Sequence, residues 1–148
     1  MQIPVEILSQ VQSLYDRGLH CQAYQTAIAH APLSEWRGTS ARILAGRIAL
    51  QVGGQRRDYA YHLWAWHGEK SATTAAYYGR FLVARQGLLR AWEFARTIED
   101  WPEAIDRERA EWWAFRARLL SEFRDFDAAL RCLQQAIAID PKNYRKIG

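Results

Sequence analysis

Cysteine is almost missing from this chain: Cys21 and Cys132 are the two present, far apart in sequence. That excludes a disulfide framework and suits two reduced, buried thiols. Long apolar runs are missing too. No stretch approaches the roughly 18 residues a membrane helix needs, so no span and no membrane partner are expected. The opening MQIPVEILSQ has no basic head followed by an apolar stretch, and no secretion signal is expected. Glycine, proline and serine never cluster into a linker, and period-two alternation is absent over any useful length, which argues against strands.

Motifs for catalysis are equally scarce. There is no phosphate-cradling glycine loop and no nucleophile elbow. His62 and His67 are five apart, which does not align two ligands on one helical face. Glu99, Asp100, Glu103, Asp106 and Glu108 form an acidic cluster, but acids before a helix chiefly complement its dipole. The expectation is a cytoplasmic protein that is not an enzyme and holds neither cofactor nor metal.

What is present is apolar, aromatic and rich in arginine. The 148 residues suggest one domain, and 49% hydrophobic residues supply a continuous core. Arginine outnumbers lysine 17 to 3. Residues 37–98 carry ten basic and three acidic side chains, or +7, whereas 99–148 carry nine and ten, or −1. A basic middle built from arginine favours an acidic partner met by bidentate contacts.

The most regular stretch is Ala110 to Asn143. Small residues fall where two helices would approach: Ala117, then Ala129 and Ala136. Trp113, Leu120, Phe126 and Leu133 are expected to fill the gaps, and Pro141 closes the unit. Earlier stretches repeat the plan. Pro4 opens a helix carrying Ile7, Val11 and Leu14, Gly18 turns the chain, and Ala23 and Ala27 mark a second helix before Pro32. RILAGRIALQV is broken by Gly53 and Gly54 and followed by QRRDYAYHLWAWH, with Tyr59, Leu63 and Trp66 on one stripe. Ser71 caps SATTAAYYGRFLVARQ, Gly87 turns, and LLRAWEFARTIED follows before Pro102. The last pair begins near Ala104. Trp64, Trp92 and Trp113 read as core, whereas Trp36, Trp101 and Trp112 read as partly exposed.

Residues 110–143 resemble one tetratricopeptide repeat, with Trp113, Ala117, Leu120, Ala129, Leu133, Ala136 and Pro141 at signature places. Arg124 stands where that family usually has a turn glycine. The resemblance implies an all-α fold: a right-handed α-solenoid of about four antiparallel helix pairs, spanning approximately 2–33, 34–69, 70–105 and 106–141. Three first helices align on a short string, Ala45-Gly46-Arg47-Ile48, Tyr78-Gly79-Arg80-Phe81 and Arg116-Ala117-Arg118-Leu119. Each has a small residue, then arginine, then a large apolar one.

In such arrays the first helices line a concave groove, which would bring Arg47, Arg80 and Arg118 into a row. Helices pack roughly 8–10 Å apart, so an extended peptide would meet one arginine about every third residue. Gln51, Thr73, Ser121 and Glu122 belong to the same face, and the first repeat offers Gln12 and Tyr15. Arg118 can pair with Glu122 one turn on, whereas Arg47 and Arg80 have no acid at helical spacing. The function implied is a scaffold that binds a protein or peptide partner bearing an acidic or carboxylate segment. Alternatives are an accessory domain of a larger protein or enzyme, and nucleic-acid binding through 37–98, which scarce lysine and the lack of an RNA-binding motif disfavour. The final helix has two apolar stripes, Leu130/Leu133/Ile137 and Ala129/Cys132/Ala136. One of them is expected to be bare, through truncation, further repeats beyond residue 148, or self-association.

Overall fold

A computed structural model describes residues 2–53 and 58–144. The chain is all-helical, with no strand among the described residues; Gln2 and Arg37 form an isolated parallel bridge. It divides into two compact units, Met1–Lys70 and Ser71–Gly148.

The first unit holds α1 (Val5–Asp16), α2 (His20–His30), a 3-10 turn (Leu33–Glu35), α3 (Thr39–Val52) and α4 (Asp58–Gly68). Helices α1 and α2 pack together, as do α3 and α4, and α2 also meets α3. Local chemistry sets the breaks. Gly18 takes φ 79°, and the amides of Gly18 and Leu19 reach back to the carbonyls of Tyr15 and Leu14, closing α1 with a left-handed cap. Pro32, which cannot continue a helix, follows α2. Gly53 ends α3 with φ 72°. Gly54 and residues 55–57, expected to complete this break and open the partner helix, lie outside the described residues, as does the side chain of Tyr59.

Val11, Ala23, Ala27, Leu44, Ile48 and Tyr61 build the core of this unit. Trp36 lies inside it at 1% exposure and donates its indole N–H to the Ala31 carbonyl at 3.1 Å. Its expected exposure is therefore corrected: a tryptophan whose one donor finds a carbonyl can be buried whole. Cys21 is exposed, against the expectation of a buried thiol, because it lies on the face of α2 away from Ala23 and Ala27.

The second unit holds α5 (Ala72–Gln86), α6 (Leu88–Ala95), α7 (Asp106–Glu122), α8 (Phe126–Ile139) and the short α9 (Pro141–Tyr144). Ser71 and Thr74 form a reciprocal capping box at the start of α5. Gly87, φ 93°, joins α5 to α6. Helix α6 stops at Ala95, five residues short of the expected Asp100. There the Thr97 hydroxyl donates to the Phe94 carbonyl at 2.7 Å, competing with helix continuation. Helix α7 begins at Asp106, two residues beyond Ala104.

Trp112, not Trp113, is the buried centre of this unit, at 0% exposure. It meets Phe94 and Trp101 edge-on and Phe115 at 5.5 Å between ring centroids. Trp113 stays half-buried because Asp100 claims its indole N–H at 3.0 Å, and that partner must remain near the surface. Phe126 and Leu133 do not fill the core either, being 57% and 37% exposed. Ala129, Cys132 and Ala136 face inward, so the large side chains of α8, including Leu130 and Ile137, ride on its flank.

Candidate functional site

In the first unit, Gly46 carries no side chain where a Cβ would collide with the ring of His62 on α4. The imidazole therefore slots against the backbone of α3 and is wholly buried. Burial first, and the nearby Arg47 charge second, lower its pKa from 6.5 to about 3, so the ring is neutral near pH 7. Arg47, the next residue along, turns to α1, where its guanidinium lies 4.5 Å from the centre of the Tyr15 ring. Tyr15 also meets His20, centroid to centroid, at 4.7 Å. Two expected site residues thus touch. Gln12, a turn before Tyr15, donates to Asp16 at 2.8 Å, and Gln51 is exposed on α3.

The second unit repeats the small-residue device with another partner. Gly79 on α5 leaves room for the ring of Phe115 on α7. Beside that contact lies a cavity of about 220 Å³, lined by Val83, Ala84, Leu88, Phe115 and Leu119, with Arg80, Arg118 and Glu122 supplying its charge. Arg80 reaches across its own helix so that its guanidinium lies 5.5 Å from the centre of the Tyr77 ring. Among the described residues neither Arg80 nor Arg118 forms an ion pair, and Arg118 does not close on Glu122 as its spacing allows. Two cations and one anion around an apolar floor leave a local charge of +1. The chamber is smaller than the ~300–1,000 Å³ of drug-sized sites, so it suits one side chain of a longer ligand.

Of the remaining expected residues, Thr73 and Ser121 do not line this cavity; Thr73 is half-buried early in α5 and Ser121 is exposed near the end of α7.

Asp100 has a role beyond the helix dipole that the acidic cluster is expected chiefly to complement. Its carboxylate accepts two hydrogen bonds from Arg109, at 2.9 and 2.7 Å, and others from the Trp113 indole and the Trp101 amide. Those bonds, the Arg109 one foremost, hold its pKa down at about 2. Arg116 lies with its guanidinium 4.9 Å from the centre of the Trp113 ring and donates to the Glu99 carbonyl at 2.6 Å. Neither strut follows helical spacing, so periodicity could not reveal it; nor could it reveal His62, whose burial depends on a glycine in another helix. Arg107 pairs with Glu111 one turn on, at 3.7 Å.

Among the described residues no three His, Cys, Asp or Glu side chains gather to hold a metal. No described helix is long and apolar enough to cross a membrane. The class defined so far is therefore an all-helical protein with paired helices and a charged, apolar-floored cavity. No family model matches the chain, and no curated protein shows significant similarity to it.

Proposed function

We propose that this chain is a cytoplasmic protein-interaction module of tetratricopeptide type, a right-handed α-solenoid of about four helix pairs that grips a partner peptide. The observation that carries the reading is the cavity of the second unit, with its apolar floor under Arg80 and Arg118. An apolar side chain entering that chamber would bring a neighbouring carboxylate, from Asp, Glu or a chain terminus, against two guanidinium groups. Guanidinium suits this task because its planar fork meets both carboxylate oxygens. Glu122 adds selectivity by repelling a second carboxylate and accepting a peptide N–H. Two further observations support the reading. Consecutive helices pack as pairs within each unit, and Arg124 takes the left-handed conformation at the place of the family's turn glycine.

The test is fluorescence anisotropy with labelled extended peptides that place Leu or Phe beside Glu. Peptides that bind should lose at least tenfold in affinity, about 1.4 kcal/mol, in the double variant Arg80→Glu/Arg118→Glu. Helical circular dichroism and Tm should stay unchanged. Affinity that survives the double charge reversal removes this cavity from the account, and failure of every carboxylate-bearing peptide removes the ligand class.

A further inference from the structure

A second recess belongs to the first unit and shares no residue with the cavity above. It lies where the segment after the 3-10 turn and the start of α3 meet the end of α4, an open recess of about 400 Å³ between Ser34, Arg37, Arg42, Trp64, His67 and Gly68. No carboxylate lines it. Glu69, next in sequence to Gly68, accepts from the Thr39 hydroxyl at 2.8 Å.

Both guanidinium groups are fixed by the main chain. Arg37 Nη1 donates to the carbonyls of Ser34 and Trp36, at 3.2 and 3.3 Å. The buried Trp36 and the bridge to Gln2 hold the backbone that carries it. Arg42 crosses from α3 to α4, where its Nη1 donates to the Trp64 carbonyl at 3.1 Å. A Cβ on Gly68 would stand 3.3 Å from that same nitrogen, so the glycine gives the guanidinium its room. Carbonyls anchor these groups without neutralising them. Neither arginine forms an ion pair among the described residues. Arg42 Nε is shut off from solvent and has no hydrogen-bond partner there.

We infer that this recess is a binding site for a phosphate monoester, its phosphoryl group held by Arg37 and Arg42 and its organic body laid along Trp64. The donors exceed what one carboxylate accepts: two guanidinium forks, the Ser34 hydroxyl and the His67 ring stand around one space. Three terminal phosphoryl oxygens match that number better, and arginine forks suit them. The volume exceeds that of a lone phosphate, and Trp64 gives the rest of the ligand an apolar wall.

The experiment titrates the full chain with inorganic phosphate, O-phosphoserine and phenyl phosphate at constant ionic strength, following backbone amide shifts by NMR. Saturable shifts centred on Ser34, Arg37, Arg42 and Gly68 are expected, with phenyl phosphate binding severalfold tighter than inorganic phosphate. Arg37→Gln, an exposed substitution that leaves the fold alone, should weaken binding about tenfold, and Arg42→Lys should weaken it too, since lysine keeps the charge but not the fork. Arg131→Gln, an exposed substitution that lines neither recess, should leave phosphate binding unchanged. Glutamate binding as tightly as phosphoserine would overturn the phosphoryl assignment. Shifts that stay linear in phosphate, or that persist in Arg37→Gln, would overturn the site itself.

Discussion

The two units use one device in two ways. Each has one helix with a glycine that admits a neighbouring ring. Gly46 takes His62 from α4, the helix that folds back on α3. Gly79 takes Phe115 from α7, the first helix of the following pair. The same sequence string, glycine then arginine then a large apolar residue, thus locks a pair internally in one unit and joins successive pairs in the other. The chemistry differs as well. The first unit buries a titratable ring, the second a hydrocarbon one, so acid should distinguish them.

The largest expected effect follows from His62. Its folded pKa, about 3, lies below the unfolded value of 6.5. Above pH 6.5 neither state binds the proton, and the linkage is silent. Between pH 6.5 and 3 the unfolded chain takes it up and the folded chain does not, so stability falls with pH. The slope approaches 1.4 kcal/mol per pH unit, on the order of 4 kcal/mol over the window. Asp100 has the same sign in a lower window: its pKa is depressed from 3.8 to about 2, so its contribution is present above 3.8 and disappears as pH falls towards 2. Hydrogen exchange resolved by helix should show α3 and α4 loosening between pH 6.5 and 5 while α7 holds. His62→Leu should abolish that difference. Protection in α3 and α4 that stays flat from pH 7 to 5 contradicts the burial argument.

Next come the glycines themselves. Alanine is the better helix former by about 1 kcal/mol, yet overpacking a tight contact costs roughly 1–3 kcal/mol. In both places a Cβ would press on a buried ring, so Gly46→Ala and Gly79→Ala should each destabilise by a net ~1 kcal/mol in urea unfolding. The comparison sharpens in double variants. His62→Ala should rescue part of Gly46→Ala and none of Gly79→Ala, and Phe115→Leu the reverse. Equal rescue by both would mean that the collisions are relieved elsewhere.

The helix pairs were legible in the sequence because their punctuation is local. Gly18, Pro32, Ser71 and Gly87 each act within a few residues, and each ends or begins a helix as read. Packing phase was less legible. Trp112 and Trp113 are adjacent, and the choice between them fell to the long-range bonds that Asp100 makes. Part of the candidate site followed from periodicity, since Arg80 and Arg118 share a string and now share a cavity. The Arg37–Arg42 recess did not, because main-chain carbonyls anchor both side chains and carry no sequence signal.

The smallest effect returns to the two units through their turns. Helices α1 and α7 end in the same way, with a left-handed residue after the last turn and paired amides reaching back. The first unit uses Gly18 at φ 79°; the second uses Arg124 at φ 64°. There the amides of Arg124 and Asp125 donate to the carbonyls of Ser121 and Leu120. A side chain in this conformation costs roughly 1–2 kcal/mol, which glycine avoids, although glycine also loses more freedom on folding. The balance predicts that Arg124→Gly stabilises by about 0.5 kcal/mol, and that Arg124→Asn gains less, since asparagine tolerates the left-handed region. Gly18→Ala should cost about 1 kcal/mol by the same balance, because nothing lies within 4 Å of a Cβ there and backbone strain is the whole effect. An Arg124→Gly variant that melts at or below the parent temperature would mean that the arginine side chain, not the backbone, decides that turn.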